Sequence, residues 1–247
     1  MAASPRGALL LDFDGVVFRH PEAFGLMHRR VEAFVASRLP TCMPQRVQAT
    51  VHNEMFKTHG HTLLGLRARF GTTATIADFN RYVFDDPFIE RVRAMTLPND
   101  HAIHARAVRS LLAESQKQNM DVFIFTNAPL NWVRFALSTT GLASFFDETR
   151  VLVAEELGHL KPEYCAYQAA QARVCESVGA GTHIVFVDDS VVNLAAAPRD
   201  WVRVLYDPSS SFVHDVLPGL DGCGVIPKPA WWIIRDLACA TRFTMCV

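Results

Sequence analysis

The chain has 247 residues, half of them hydrophobic and a fifth charged, which is long enough for a full core and ordinary for a globular protein. Its 24 Lys and Arg against 25 Asp and Glu leave a formal net charge of −1, so no long-range attraction for nucleic acid or an anionic membrane is expected. No uncharged apolar run reaches the roughly 18 residues of a membrane span, and the scattered cysteines Cys42, Cys165, Cys175, Cys223, Cys239 and Cys246 read as reduced thiols.

Residues 8–13 form a first predicted strand, and the acids Asp12 and Asp14 interrupt its apolar stretch too early for a secretory leader. A cytoplasmic protein is expected. From Pro21 the periodicity becomes helical: Phe24, Met27, Val31, Phe34 and Val35 recur at three- and four-residue steps. Further helices are predicted over 44–58, 61–70 and 76–95, punctuated by Pro40, Pro44, Gly60 and Gly71. Leu97–Asp100 reads as a linker. Helices at 102–118, 129–140, 162–177 and 190–197 then alternate with strands at 121–125, 150–153, 183–187 and 202–206. Such alternation predicts an α/β fold with a parallel sheet covered on both faces. Beyond the loop Asp207–Ser211, the apolar segment Ala230-Trp231-Trp232-Ile233-Ile234 reads as a helix packing its tryptophans on the sheet.

Three apolar runs end abruptly in polar groups: Asp12-Phe13-Asp14-Gly15-Val16, Thr126-Asn127-Ala128 and Asp188-Asp189. The carboxyl ends of parallel strands meet in space, so these segments can share one site with Lys161-Pro162. A carboxylate held beside a divalent cation can attack a phosphoryl group, which is the role open to Asp12. Asp14, two residues on, can protonate the leaving alkoxide and later deprotonate water. The Thr126 hydroxyl and the Asn127 backbone N–H can donate to phosphate oxygens, and Lys161 offers a compact cation. Asp188 and Asp189, with Asp12 and the main-chain carbonyl of Asp14, supply hard oxygen ligands suited to Mg²⁺. Each piece alone is as easily a turn or a helix cap. Their order and strand context unite them.

The set resembles the four motifs of the haloacid dehalogenase superfamily, mostly Mg²⁺-dependent phosphatases. Within it, Gly60-His61-Thr62-Leu63-Leu64-Gly65-Leu66, Phe79-Asn80-Arg81-Tyr82-Val83-Phe84-Asp85-Asp86, Phe125–Ala128, Lys161-Pro162 and Val187–Asn193 are similar to the pyrimidine 5′-nucleotidase branch. The resemblance implies a Rossmann-like three-layer α/β/α core from residues 1–19 and 98–247, with an all-helical cap inserted at 20–97. It implies Asp12 as nucleophile and metal ligand, and Asp14 as acid/base and backbone ligand. Thr126, Asn127 and Lys161 would bind phosphate, Asp189 and Asp188 would hold Mg²⁺, and Asn193 would orient the acidic pair. The implied partner is a small phosphorylated metabolite, a nucleoside monophosphate above all, bound by a monomer or homodimer.

The sequence departs from the pattern at Val16, often Thr, and at Trp132, where the branch tends to carry histidine. The alternatives are a phosphatase for a sugar phosphate or phosphoglycolate, and a non-catalytic phosphometabolite binder. His52, His59, His61 and Glu54 in the helical block read as polar helix faces rather than a zinc set, and Arg67 and Arg69 as solvated surface. Phe84, Phe145 and Phe146 read as core.

Overall fold

Leu9, Leu10 and Leu11 lie fully buried in a strand covered on both faces, β1 (Gly7–Leu11). The computed structural model describes residues 7–39, 43, 45–97, 100–208, 226–227, 232–237 and 239–240. β1 is central because it pairs in parallel with both β2 (Met120–Thr126) and β4 (His183–Asp188). β3 (Val151–Val153) extends the sheet beyond β2, and β5 (Val202–Tyr206) beyond β4. Side chains alternate faces along each strand. Leu9, Leu11, Val122, Ile124, Val185 and Val187 therefore point one way, and Ala8, Leu10, Phe123, Phe125 and Phe186 the other.

Helices cover both faces. α6 (His101–Lys117) and α7 (Leu130–Thr140) bring Val108, Leu111, Val133 and Ala136 to the first face. α9 (Tyr164–Val178) and α10 (Val191–Ala196) bring Ala166, Tyr167, Ala170 and Leu194 to the second. The result is a three-layer α/β/α core. With β6 (Ile226–Pro227) and β7 (Trp232–Ile234), strand order is β3-β2-β1-β4-β5-β7-β6, so successive crossovers reverse direction about β1. Open sheets bind ligands at the carboxyl ends beside such a reversal.

Between β1 and α6 run five helices of the described residues: α1 (Pro21–Ala36), α2 (Gln45–His59), α3 (Thr62–Phe70), α4 (Ile76–Val83) and α5 (Asp86–Arg93). The predicted helix at 76–95 is thus two. Asp85 accepts a bond from the Phe88 N–H and caps α5, and Pro87 stands in its first turn, a pattern that starts a new helix. The helix predicted from 162 begins at Tyr164, after a turn, and a short helix α8 (Ala154–Leu157) follows β3.

The tail corrects a further expectation. Trp232–Ile234 is a strand, β7, parallel to β5 and antiparallel to β6 (Ile226–Pro227), not a helix. The apolar run is too short to tell a buried strand from a buried helix, and β5 offers an open edge that it fills. Trp231, Pro40, Pro44, Pro98, Asn99, Ser209–Ser211, Cys42, Cys223 and Cys246 lie outside the described residues; Cys165, Cys175 and Cys239 are in the thiol form. Among the described residues, no helix is long and apolar enough to cross a membrane.

The helical block shares a buried cluster with the core and is fixed to it by specific contacts. Asn80 Nδ2 donates to Glu155 Oε1 at 2.9 Å, and Asn131 Nδ2 donates to the Phe84 carbonyl at 3.1 Å. Gly60, with φ +70°, presses the α2–α3 turn onto Pro162 and Val192; a Cβ there would lie 2.8 Å from Pro162 Cδ. Gly65 lets α3 lie against α2, since a Cβ would come within 2.5 Å of Met55 Cβ. Gly71 shares a positive φ, +61°, but a Cβ on it would meet nothing within 4 Å. Gly60→Ala should therefore cost about 2–4 kcal/mol, backbone strain plus overpacking, and Gly71→Ala only the backbone part of about 1–2 kcal/mol. Urea unfolding of the two variants checks this, and equal losses would mean that the turn does not bear on Pro162.

Candidate active site

Each acidic segment sits where a strand stops. The Asp12 N–H donates to the Val187 carbonyl at 2.8 Å, tying the end of β1 to β4. The chain then turns sharply: Val17 and Phe18 N–H both bond the Phe13 carbonyl, and Gly15 N–H bonds that of Phe18. Gly15 has φ +96°, and a Cβ on it would sit 2.0 Å from Asp189 Oδ2. Only glycine allows the first acidic loop to approach the last this closely.

Lys161 is the hub. Its ammonium, 1% exposed, lies 2.8 Å from Asp12 Oδ1, Asp188 Oδ2 and the Phe125 carbonyl. The rings of Phe125 and Phe186 flank it at 5.0 and 5.3 Å. Burial alone would favour losing the proton, but Asp12 and Asp188 outweigh it and the Lys161 pKa is raised. All three of its N–H donors are engaged, so here it neutralises the two carboxylates. Asn127 fixes its backbone: the side-chain amide donates to the Lys161 carbonyl at 2.9 Å and accepts from its N–H at 2.8 Å. The sequence points only to the Asn127 backbone N–H, and the side-chain clamp emerges with the fold. Thr126 is buried at the end of β2, its oxygen accepting from the Ala128 N–H at 3.0 Å, which leaves the hydroxyl proton free to donate.

Asp188 and Asp189 differ. Both Asp188 oxygens already accept, from Lys161, from Asn193 Nδ2 at 3.1 Å and from the Ser190 N–H at 2.8 Å. Asn193 Nδ2 thus holds both oxygens of the first acid of the pair. Asp189 instead opens to solvent at the cavity floor. Enclosure in the cleft, then the charges of Asp12 and Asp188, push its carboxyl well above the usual range. Burial, opposed by Lys161 and reinforced by Asp188, pushes Asp12 up to about 6. Burial also carries Asp14 up to about 7, against the lowering effect of a hydrogen bond from Trp132. That bond, Trp132 Nε1 to Asp14 Oδ1 at 2.9 Å, was not foreseen. A buried indole N–H needs an acceptor, and a tryptophan in the first turn after Thr126-Asn127-Ala128 was its signal.

One carboxyl oxygen each from Asp12, Asp188 and Asp189 lies within 4.8 Å of the others, the one such acidic, histidine or cysteine group among the described residues. Hard oxygens crowded in this way suit Mg²⁺, Ca²⁺ or Mn²⁺. The buried Asn193 Oδ1 has no hydrogen-bond partner, leaving an acceptor for a cation's hydration water. The donor set therefore fits a divalent cation.

Above this floor a cavity of about 380 Å³ runs up between core and helical block. Phe24, Met27, Val31, Phe56, Phe79 and Phe84 line it with His28, His52 and His61. His52 sits between Thr62 Oγ1 and His28 Nδ1, 3.3 Å from each. Burial lowers His52 and His61 to about 4, so both are neutral at pH 7. His61 caps α3, Glu54 pairs with Arg69 outside, and Arg67 binds the Ala74 carbonyl; neither arginine lines the cavity.

A parallel sheet with an acidic site at its carboxyl ends, roofed by an inserted helical block, defines a class of α/β hydrolases. The haloacid dehalogenase-like hydrolase family model matches residues 7–199, and the chain belongs to that family. Among solved structures it is similar to a HAD phosphatase from Thermococcus onnurineus, with 17% identity, TM-score 0.57, and 97% of this chain and 98% of that one covered. YfnB from Bacillus subtilis, a putative HAD-hydrolase solved bound to magnesium, matches with 17% identity, TM-score 0.57 and 98% and 99% coverage. An L-2-haloacid dehalogenase from Xanthobacter autotrophicus matches with 14% identity, TM-score 0.53 and 98% and 99% coverage. No curated protein matches.

The raised carboxyl pKa values predict a pH dependence for metal-free protein. Asp12 and Asp14 hold protons in the fold, near 6 and 7, that the unfolded chain releases near 4. Their stabilising contribution is present below pH 4 and lost as pH rises through 6–7. In excess chelator the melting temperature should fall from pH 5 to pH 8. Saturating Mg²⁺ should raise it on the order of 5 °C or more at pH 8, and less at pH 5. An equal increment at both pH values, read by calorimetry, would separate cation binding from these carboxylates.

Proposed function

We propose that the protein is a Mg²⁺-dependent phosphomonoester hydrolase acting through an aspartyl-phosphate on Asp12. The observation that carries this reading is the convergence of Asp12, Asp188 and Asp189 around Lys161, with Asp14 beside them, on the floor of a closed-in cavity. Mg²⁺ would be held by Asp12, Asp189 and the Asp14 carbonyl, with Asp188 beside them. When bound it cancels the repulsion between Asp12 and a phosphate dianion. An Asp12 oxygen then attacks phosphorus while the bond to the leaving oxygen breaks. Asp14 gives its proton to that oxygen, releasing the alcohol. Water next attacks the phosphorus and Asp14 takes its proton. The Asp12–phosphorus bond breaks, releasing inorganic phosphate with both carboxyls restored. An Asp14 pKa of about 7 is suited to giving and taking a proton near neutrality. Thr126 and the Asn127 N–H serve the phosphate oxygens, while Lys161, its three donors engaged by Asp12, Asp188 and the Phe125 carbonyl, supplies positive charge beside them.

The cavity chemistry favours a nucleoside 5′-monophosphate over phosphoglycolate. Among the described residues lining it, the Asp and Lys side chains are Asp12, Asp14, Lys161 and Asp189, all at the floor. None of the described lining residues above the floor is a Lys or Arg that could meet a second anionic group, whereas aromatic rings and neutral imidazoles suit an uncharged base and ribose. The pyrimidine preference rests on the sequence resemblance alone.

Asp12→Asn should lower kcat by about three orders of magnitude or more while phosphate-ester binding persists. Across a panel with and without EDTA, nucleoside monophosphates should show higher kcat/KM than phosphoglycolate, and only with the metal. Undiminished turnover by Asp12→Asn would overturn the mechanism.

A further inference from the structure

The indole of Trp132 is fully buried, and four aromatic rings surround it. Phe18 meets it edge-on at 5.4 Å, and Phe88, Phe135 and Phe84 lie at 5.2, 5.7 and 5.9 Å. Phe18 follows the Asp14 turn, whereas Phe84 and Phe88 come from the helical block. Held on these sides, the ring has little freedom to rotate, and its N–H points at Asp14 Oδ1, 2.9 Å away. An indole N–H can only donate. The Asp14 oxygen it meets accepts through a lone pair; the C=O oxygen of a carboxyl accepts better than its hydroxyl oxygen, so this contact favours the carboxyl proton on the other oxygen, Oδ2.

We propose that Trp132 is a positioning residue for proton transfer: its N–H fixes the Asp14 carboxyl so that Oδ2 carries the proton given to the leaving oxygen. The inference rests on the phosphatase reading and concerns its first half-reaction. As the phosphorus–oxygen bond of the ester breaks, the electron pair stays on the leaving oxygen, the Oδ2 proton moves to it, and Asp14 is left as carboxylate. Without the indole donor, Asp14 can rotate or hold its proton on Oδ1, and fewer encounters are productive. An ordinary satisfied indole would sit equally well against a backbone carbonyl and would bear on no particular step.

The dependence on the leaving group separates these roles. An alkyl ester such as a nucleoside 5′-monophosphate needs its leaving oxygen protonated; p-nitrophenyl phosphate, which releases a stable phenolate, needs this far less. For Trp132→Phe, kcat/KM on the alkyl ester should fall on the order of 10–100-fold, and on the aryl ester by no more than about threefold. In an Asp14→Asn background, Trp132→Phe should cause no further selective loss, because the two residues act as one unit. Replacing Trp132 by 3-benzothienylalanine, which keeps the shape and exchanges N–H for sulfur, should reproduce the selective loss in a protein that folds normally. Equal losses on both esters, no loss on either, or additive losses in the double variant overturn the inference while leaving the phosphatase reading intact. An unmodified protein that turns over neither ester overturns that reading, and this inference with it.

Discussion

A buried ammonium between two carboxylates organises this molecule. Lys161 reaches Asp12 on one strand end and Asp188 on another while its third proton meets the Phe125 carbonyl at the end of a third. Removing the ammonium alone would leave two buried carboxylates facing each other, a change on the order of 3–5 kcal/mol. Its neighbours exist to hold it: Asn127 clamps its backbone, and Asn193 and the Ser190 N–H share the load on Asp188. One ammonium against Asp12, Asp14, Asp188 and Asp189 leaves an excess of negative charge. With burial, that imbalance raises three of the carboxyl pKa values and makes the site receptive to a divalent cation.

The helical block matters because it encloses that charge. It touches the core at the Gly60 turn, at Asn80–Glu155, at Asn131–Phe84 and through Phe84 and Phe88 against Trp132. Two of these contacts involve neighbouring residues of α7, which also begins the site. Seating of the cap and orientation of Asp14 are therefore mechanically joined at Asn131 and Trp132. Above the floor aromatic and aliphatic side chains share the cavity wall with histidines, of which His52 and His61 are neutral at pH 7, so the acids and the ammonium lie at one end and the aromatic lining at the other.

Much of this was legible before any coordinates. Apolar runs such as Ile184–Val187 ending in Asp188-Asp189 announce buried parallel strands, because only strands covered on both faces carry uninterrupted hydrophobics. Glycine marked the helix breaks at Gly60 and Gly71. Two elements depart from expectation for different reasons. Trp232–Ile234 ends an apolar run of five residues, too short to show a period, and its strand identity comes from the open edge of β5. The helix at 76–95 was read through Asp85 and Pro87, where local capping overrode continuous periodicity.

Legible along the chain are the chemistry available and its order: which strand ends carry acids, which residue is the cation, and that helices intervene. Those follow from side-chain type and local periodicity, which are properties of short segments. It takes the folded arrangement to bring Lys161 between Asp12 and Asp188, to set the Asn127 side chain on the Lys161 backbone, and to aim Trp132 at Asp14. Each of these joins segments at least 27 residues apart, and hydrogen bonds are set by distance and direction in space, which sequence separation does not encode.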